Sequence, residues 1–175
     1  LRSEKVTLVH QDAFLWVKTQ AKAGEMPAFD AVIIDIPDPS NFSIGKLYSV
    51  TFFRELRKLL SPEGFLVVQS TSPWVARKTF WCVNKTLEQS GFRTAPYHAY
   101  VPSFGEWGYV IAGERTYVPP SAFPEGLRFV SVDGLPAMFT FPSDMARIDT
   151  AVQRLDDQVL VRYFDEEWGA YGAAN

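Results

Sequence analysis

Several residue types are scarce in this sequence, and each scarcity removes a class of function. Cys82 is the single cysteine, which excludes an internal disulfide and any cysteine-rich zinc site. His10 and His98 are the two histidines, too few for a multi-histidine metal centre, so no metal is expected. Seventeen basic residues face twenty acidic ones, for a net charge of −3. That leaves no basic field to attract nucleic acid, and none is expected as a partner. No stretch approaches the ~20 apolar residues of a membrane span. Glycine is absent before Gly24, so no glycine-rich ligand loop lies at the amino end.

What is present suits one globular domain with a core of useful size: 175 residues, 47% hydrophobic and 21% charged. The most informative segment is Phe29-Asp30-Ala31-Val32-Ile33-Ile34-Asp35-Ile36-Pro37-Asp38-Pro39. Its apolar run is short and rich in Val and Ile, which predicts a strand over 29–36 buried on both faces. Pro37 and Pro39 stop the ladder. Two acids just beyond such a strand fall at the carboxyl edge of an α/β sheet, where open sheets bind ligands. A plain turn or helix cap would also use acids here.

The remaining pattern alternates. Val6–Val9 is expected to be a strand, and Asp12 to cap a helix through about Ala23 with Phe14, Val17 and Ala21 on one face. Lys46 to Leu60 is expected to be a helix, Ser61-Pro62-Glu63-Gly64 a turn, and Phe65 to Gln69 a strand. Ala76 to Ser90 carries Phe80, Val83 and Leu87 at helical spacing and stops at Gly91. Phe92 to Val101 and Trp107 to Ala112 make a final strand pair around a Pro-Ser-Phe-Gly turn. These elements predict an α/β domain with a mostly parallel sheet over residues 1–118. Residues 119–175 are expected to form an extension packing on the same domain, with a helix from about Asp157 to Tyr171 bearing Leu160, Phe164 and Trp168 on one side.

Chemistry follows from the acid pair. Aliphatic amines, with pKa near 10, arrive protonated and need a base before they can attack. Asp35, on the rigid strand end, suits that base, and Asp38, on the turn, suits an anchor for a second cationic end. Gln69 ends the third strand at the same sheet edge, where it either bonds a ligand or satisfies a loop. Phe104 and Trp107 are the better site candidates among the aromatics, able to flank an ammonium. Glu106 is a third acid placed to reach that cleft. Asp12 either caps its helix or accepts a bond from an adenine amino group, and the two are compatible.

Asp35-Ile36-Pro37-Asp38-Pro39, Leu47-Tyr48, Phe52-Phe53 and Gly64-Phe65-Leu66-Val67-Val68-Gln69 together resemble the central block of the polyamine aminopropyltransferases, the spermidine synthases. Asn41-Phe42-Ser43-Ile44-Gly45-Lys46-Leu47-Tyr48-Ser49 and Val101-Pro102-Ser103-Phe104-Gly105-Glu106-Trp107-Gly108 are similar to a bacterial subgroup carrying an additional multi-pass membrane region. The likeness covers most of residues 5–113 and extends through Trp168. It implies a Rossmann-like fold of the class I S-adenosylmethionine-methyltransferase type. It also implies aminopropyl transfer from decarboxylated S-adenosylmethionine, as co-substrate, to putrescine, giving spermidine and methylthioadenosine without a prosthetic group. By position Asp35 matches the proton acceptor, Asp38 the diamine-binding acid, and Asp12-Ala13 the pair at the adenine end. The implied location is the cytoplasm, or the cytoplasmic face of the bacterial inner membrane.

Two departures bear on which amine is accepted: Asp38-Pro39-Ser40-Asn41-Phe42 replaces the common Asp-Pro-x-Gly-Pro, and Phe104 stands where many members have tyrosine. The family's glycine-rich loop and ribose-binding acid belong upstream of Val6. The expectation is therefore a piece whose N-terminal strands are missing, inactive alone and a poor nucleoside binder. Its open apolar flank is expected to self-associate or to re-pair Val6–Val9 beside residues 30–36. The rival functions are an S-adenosylmethionine-dependent methyltransferase and a non-catalytic polyamine- or nucleoside-binding domain.

Overall fold

The structure is a computed structural model that describes residues 3–23 and 28–174. Helix α1 (Ala13–Ala23) precedes strand β1 (Phe29–Ile34). A short helix α2 (Phe42–Gly45) and a 3₁₀ turn (Lys46–Tyr48) lead into α3 (Val50–Arg57). Then come β2 (Leu60–Gln69), α4 (Arg77–Gln89), and the hairpin β3 (Arg93–Val101) and β4 (Gly105–Gly113). One turn of helix, α5 (Leu135–Met138), and a long α6 (Val159–Ala174) complete the chain.

The strands form one sheet in the order β1-β2-β4-β3. β1 and β2 are parallel, which the crossover through α3 makes possible, and the other two pairs are antiparallel. The α/β layering is as expected from the alternation, but within the described residues only one of the three pairings is parallel. Side-chain alternation divides the sheet. Ile34, Leu66, Val68, Val110 and Ala112 join Val17, Phe52, Phe53, Leu56, Phe80 and Leu87 from the helices in one core.

Several expectations need correction. β1 is not buried on both faces: it is an edge strand, and Ile33 is 80% exposed. Only alternate residues meet a helix layer. The strand also ends at Ile34, before Ile36. Val6–Val9 forms no strand and does not re-pair beside β1. A ladder needs a neighbour to supply hydrogen bonds, and a hollow of about 550 Å³ lined by Thr7, Val9, Ala13, Trp16 and Phe29 lies between this segment and β1. The helix expected over 46–60 is interrupted at Ser49, whose backbone is extended and whose Oγ accepts from the Phe52 amide as an N-cap. Ser61 to Gly64 belong to β2 as an irregular stretch, because Phe29 pairs with Leu60 but Ala31 with Phe65.

The C-terminal residues are built into the same core. Gln153 is fully buried; its amide donates to the Gly45 carbonyl at 3.1 Å and accepts from the Leu160 amide at 2.9 Å. Glu167 caps α4 in place of Ala76, which has no side chain for the task. Its carboxylate accepts from the amides of Lys78 and Thr79 and from the Thr79 hydroxyl, at 2.7–3.0 Å. The Trp81 indole donates to the Met145 carbonyl at 2.9 Å. Among the described residues no helix is long and apolar enough to cross a membrane.

Gly91 ends α4 with a φ of 95°, as its position implied. Gly108 is needed for a different reason, close approach. A Cβ there would sit 2.5 Å from the Phe80 ring and 2.8 Å from the Thr71 carbonyl oxygen. Gly108→Ala is expected to destabilise the fold by ~1–3 kcal/mol through overpacking. Urea denaturation checks this, and an unchanged midpoint would contradict the packing described.

Candidate active site

The chain leaves β1 at Ile34 and bends through Asp35-Ile36-Pro37-Asp38. Tyr48, 1% exposed, holds the bend from below. Its hydroxyl donates to the Pro37 carbonyl at 3.2 Å, with the Ile36 and Gln69 carbonyls at 3.4 and 3.5 Å. One phenol thus ties the bend after β1 to the end of β2. Burial, with the negative charges of Asp38 and Asp35, holds that phenol firmly neutral.

The two acids occupy different surroundings. Asp35 is exposed and lines a hollow of about 360 Å³ with Ile33, Val67, Gln69, Tyr97 and Tyr109. Its charge also helps to raise the Tyr109 pKa, behind the larger effect of burial. Asp38 is half-buried beside a smaller hollow of about 230 Å³, walled by Gln69, Val101, Phe104, Trp107 and Tyr109. Gln69 and Tyr109 line both hollows, so the acids flank adjoining space at the carboxyl end of β1 and β2. Burial pushes the Asp38 carboxyl up to about 6, offset in part by a hydrogen bond from Thr71. Its Oδ1 is buried with no hydrogen-bond partner among the described residues. A half-buried carboxylate with one oxygen unpartnered, beside an aromatic-walled hollow, carries a charge that a cation entering the hollow would compensate.

The β3–β4 turn supplies the outer wall. Gly105 takes a φ of 78°, which a tight hairpin needs. Phe104 at its tip is 67% exposed, with its ring 5.3 Å from that of the buried Trp107. Trp107 and Tyr109 project to the acid side of the sheet.

Glu106 does not join them. Neighbouring strand residues point to opposite faces, and Glu106 lies against the His98 ring on the far face, where His98 Nε2 also meets the Thr140 carbonyl at 2.8 Å. The expectation that it reaches the cleft is corrected by the register. Asp12 is likewise committed: one oxygen caps α1 by accepting from the Leu15 amide at 3.0 Å, and the other pairs with Lys46 Nζ at 2.7 Å. The hydrogen bond from Lys46 is the leading cause of its lowered pKa. Ala13 is exposed at the larger hollow near Trp16, away from the acid pair.

Two participants were not legible beforehand. Tyr48 entered only within the Leu47-Tyr48 block of the family resemblance, with no task of its own, and its hydroxyl is the one sign of a polar role. Thr71 adopts a φ of 61° at the end of β2. A β-branched residue rarely does so, and no local pattern announces it.

A polyamine aminopropyltransferase of Leptospira interrogans is 47% identical over 168 residues, covering 96% of this chain and 33% of that protein. One from Ralstonia nicotianae is 48% identical over 166 residues, covering 94% of this chain and 32% of that protein. The chain therefore spans about a third of the length of these curated relatives. Among solved structures, a spermidine synthase in complex with the transition state analogue AdoDATO superposes with a TM-score of 0.67 at 18% identity. That match covers 95% of this chain and 52% of that one. Spermidine synthase from Thermotoga maritima gives 0.60 at 17% identity, over 77% of this chain and 45% of its own. These likenesses show the Rossmann-like fold. Residues 1–122 match the family described as the spermine/spermidine synthase domain, and with the relatives' identity this shows that the chain belongs to the spermine/spermidine synthase family.

Proposed function

We propose that this chain forms the amine side of an aminopropyltransferase active site, moving an aminopropyl group from decarboxylated S-adenosylmethionine to putrescine. The observation that carries the proposal is the buried, unpartnered Oδ1 of Asp38 beside an aromatic-walled hollow, with a second, exposed acid on the same bend. Relatives bearing the name polyamine aminopropyltransferase, and a structural neighbour holding a transition state analogue, support the same chemistry.

In this scheme Asp38 compensates one ammonium of the diamine, while Gln69, Phe104 and Trp107 flank its carbon chain. Asp35 takes a proton from the other ammonium. The freed nitrogen lone pair forms a bond to the carbon beside the sulfonium. That carbon–sulfur bond breaks, its electrons neutralise the sulfur, and spermidine and methylthioadenosine result. Holding the amine in line with that carbon supplies the orientation term, and the two carboxylates stabilise a cationic reaction centre. Asp12 and Ala13 contact the adenine end, where the adenine amino group shares the Asp12 oxygen that Lys46 Nζ also holds while the other oxygen keeps the helix cap. The chemistry, which uses cytoplasmic-type small-molecule substrates, suits the cytoplasm or the cytoplasmic face of the bacterial inner membrane.

The open edge of β1 completes the proposal as a self-association surface, because unpaired strand groups beside Ile33 offer another chain a template. Light scattering is expected to show concentration-dependent association that Ile33→Lys reduces. A strictly monomeric parent chain would contradict this.

Asp35→Asn keeps shape and removes the base, so turnover is expected to fall roughly 10²–10⁴-fold in a form spanning the length of the relatives. Near-normal turnover would remove Asp35 from the base role. Asp38→Ala is expected to weaken putrescine by roughly 10²-fold or more and leave methylthioadenosine unchanged by calorimetry. Equal losses would make the bend merely structural. The raised Asp38 pKa also has a signed consequence. Its folded value lies above the unfolded one, so its stabilising contribution is full below pH ~4 and is lost as pH rises through about 6. Asp38→Asn should therefore gain stability on the parent between pH 4 and 7. Putrescine binding should do the opposite in the parent, holding at pH 8 and declining as pH falls through 6.

A further inference from the structure

β3 is the outer strand of the sheet, and residues 139–141 straddle its free edge. Tyr97 and His98 are neighbours on that strand and point to opposite faces. Phe139 sets its ring 5.6 Å from Tyr97 on one face, and Phe141 sets its ring 4.9 Å from His98 on the other. Phe141 also meets Phe80 and Trp81 of α4, and Phe139 meets Tyr117. Between them the Thr140 carbonyl lies 2.8 Å from His98 Nε2. Among the described residues no backbone hydrogen bond joins this strap to β3, so the histidine ring is its polar fastening. The other ring nitrogen, Nδ1, lies against Glu106 Oε1 from β4. A carbonyl and an ionised carboxylate can only accept, and a neutral imidazole has a single N–H to give. Both bonds form together when the ring carries both its protons.

We propose that His98 is a pH-sensitive latch: its doubly protonated ring ties Thr140 to Glu106 and holds the 139–141 strap around β3, and loss of one ring proton releases the strap. The consequence reaches the larger hollow. Tyr97, which Phe139 backs, stacks on Tyr109 with ring centroids 5.1 Å apart, and the two form the aromatic wall of the hollow that Asp35 lines. Release withdraws Phe139 from that wall. The charged group that faces the ring from β4 is Glu106. The strap and α4 bring Phe141, Phe80 and Trp81 to this side, none of which titrates. Charges on those elements are engaged elsewhere. Arg147 pairs with Glu88 and Lys85 with Asp149, Arg77 donates to the Ala146 carbonyl, and Lys78 lies over the Tyr163 ring. Tyr100, opposite Glu106 in the register, and Asp144 are exposed. The latch depends on this geometry and not on the amine role of the acid bend.

The test is an NMR pH titration of the 175-residue chain without ligand. The His98 ring nitrogens, told apart from those of His10 with a His10→Gln variant, report the latch. Amide exchange at Phe139 and Thr140, corrected for the intrinsic rate, reports the strap. Protection of these two amides is expected to fall roughly tenfold, the worth of one hydrogen bond to a charged group, with the midpoint at which His98 loses a ring proton. The Tyr97 phenol, pushed up to about 12 chiefly by burial, stays neutral throughout, so a shift of its ring signals at that midpoint reports lost packing. Glu106→Gln should move the ring titration and the strap transition by the same interval, and Phe139→Ala should leave the His98 titration in place while uncoupling Tyr97 from it. Strap protection that stays flat through the His98 titration, or a ring titration indifferent to Glu106→Gln, overturns the latch. Tyr97 ring signals fixed across the transition overturn its reach to the hollow.

Discussion

A half-buried carboxylate with one oxygen unpaired is costly to keep, and most of the site exists to keep it. Burial of Asp38 disfavours its charged form, as its raised pKa records. A stray surface acid would turn to water. This one cannot, because the bend that carries it is held at Pro37 by the buried Tyr48 hydroxyl and closed over by Trp107 and Tyr109. Asp35, three residues earlier on the same bend, remains in contact with solvent. The environment thus separates two chemically identical groups into an exposed acid and a desolvated one. That difference suits a base at the reacting end and a charge-compensating anchor at the other.

The supports come from distant parts of the chain. The core face of the sheet, with Leu66, Val68 and Val110, fixes where β2 and β4 end and so where Gln69 and Tyr109 stand. α6 is held through Gln153 beneath its first turn and through Glu167 at the start of α4. From there Trp168 reaches Thr71. Residues that look like a peripheral tail are therefore part of the frame of the site. Losing such a buried, fully satisfied amide as Gln153 would orphan the Gly45 carbonyl and the Leu160 amide together.

Legibility in the sequence followed locality. The acid bend, helix α4 with its Gly91 stop, the β3–β4 hairpin and the final helix could all be read, because periodicity and turn residues are written within a few positions. Val6–Val9 could not: four apolar or β-branched residues make a strand only beside a neighbour, and pairing is not a local property. Ile33 misled for the same reason, since a run of Val and Ile does not say whether a second layer covers it. Ser49 was a readable signal left unused; a serine before Val-Thr-Phe-Phe can start a helix as well as continue one. Glu106 was also avoidable, because it neighbours Trp107 on a strand and both cannot face one cleft. Thr71 lay beyond any sequence rule, its positive φ occurring where its carbonyl accepts from the Gly108 amide of a distant strand.

The central claim is that the Asp38 carboxylate receives an ammonium. The most direct measurement is the Asp38 carboxyl midpoint with and without saturating putrescine, read by carbon NMR. Compensation by a bound cation stabilises the carboxylate, so the midpoint is expected to drop from about 6 toward the ordinary carboxylate range. A midpoint that stays in place while putrescine is bound would contradict the account.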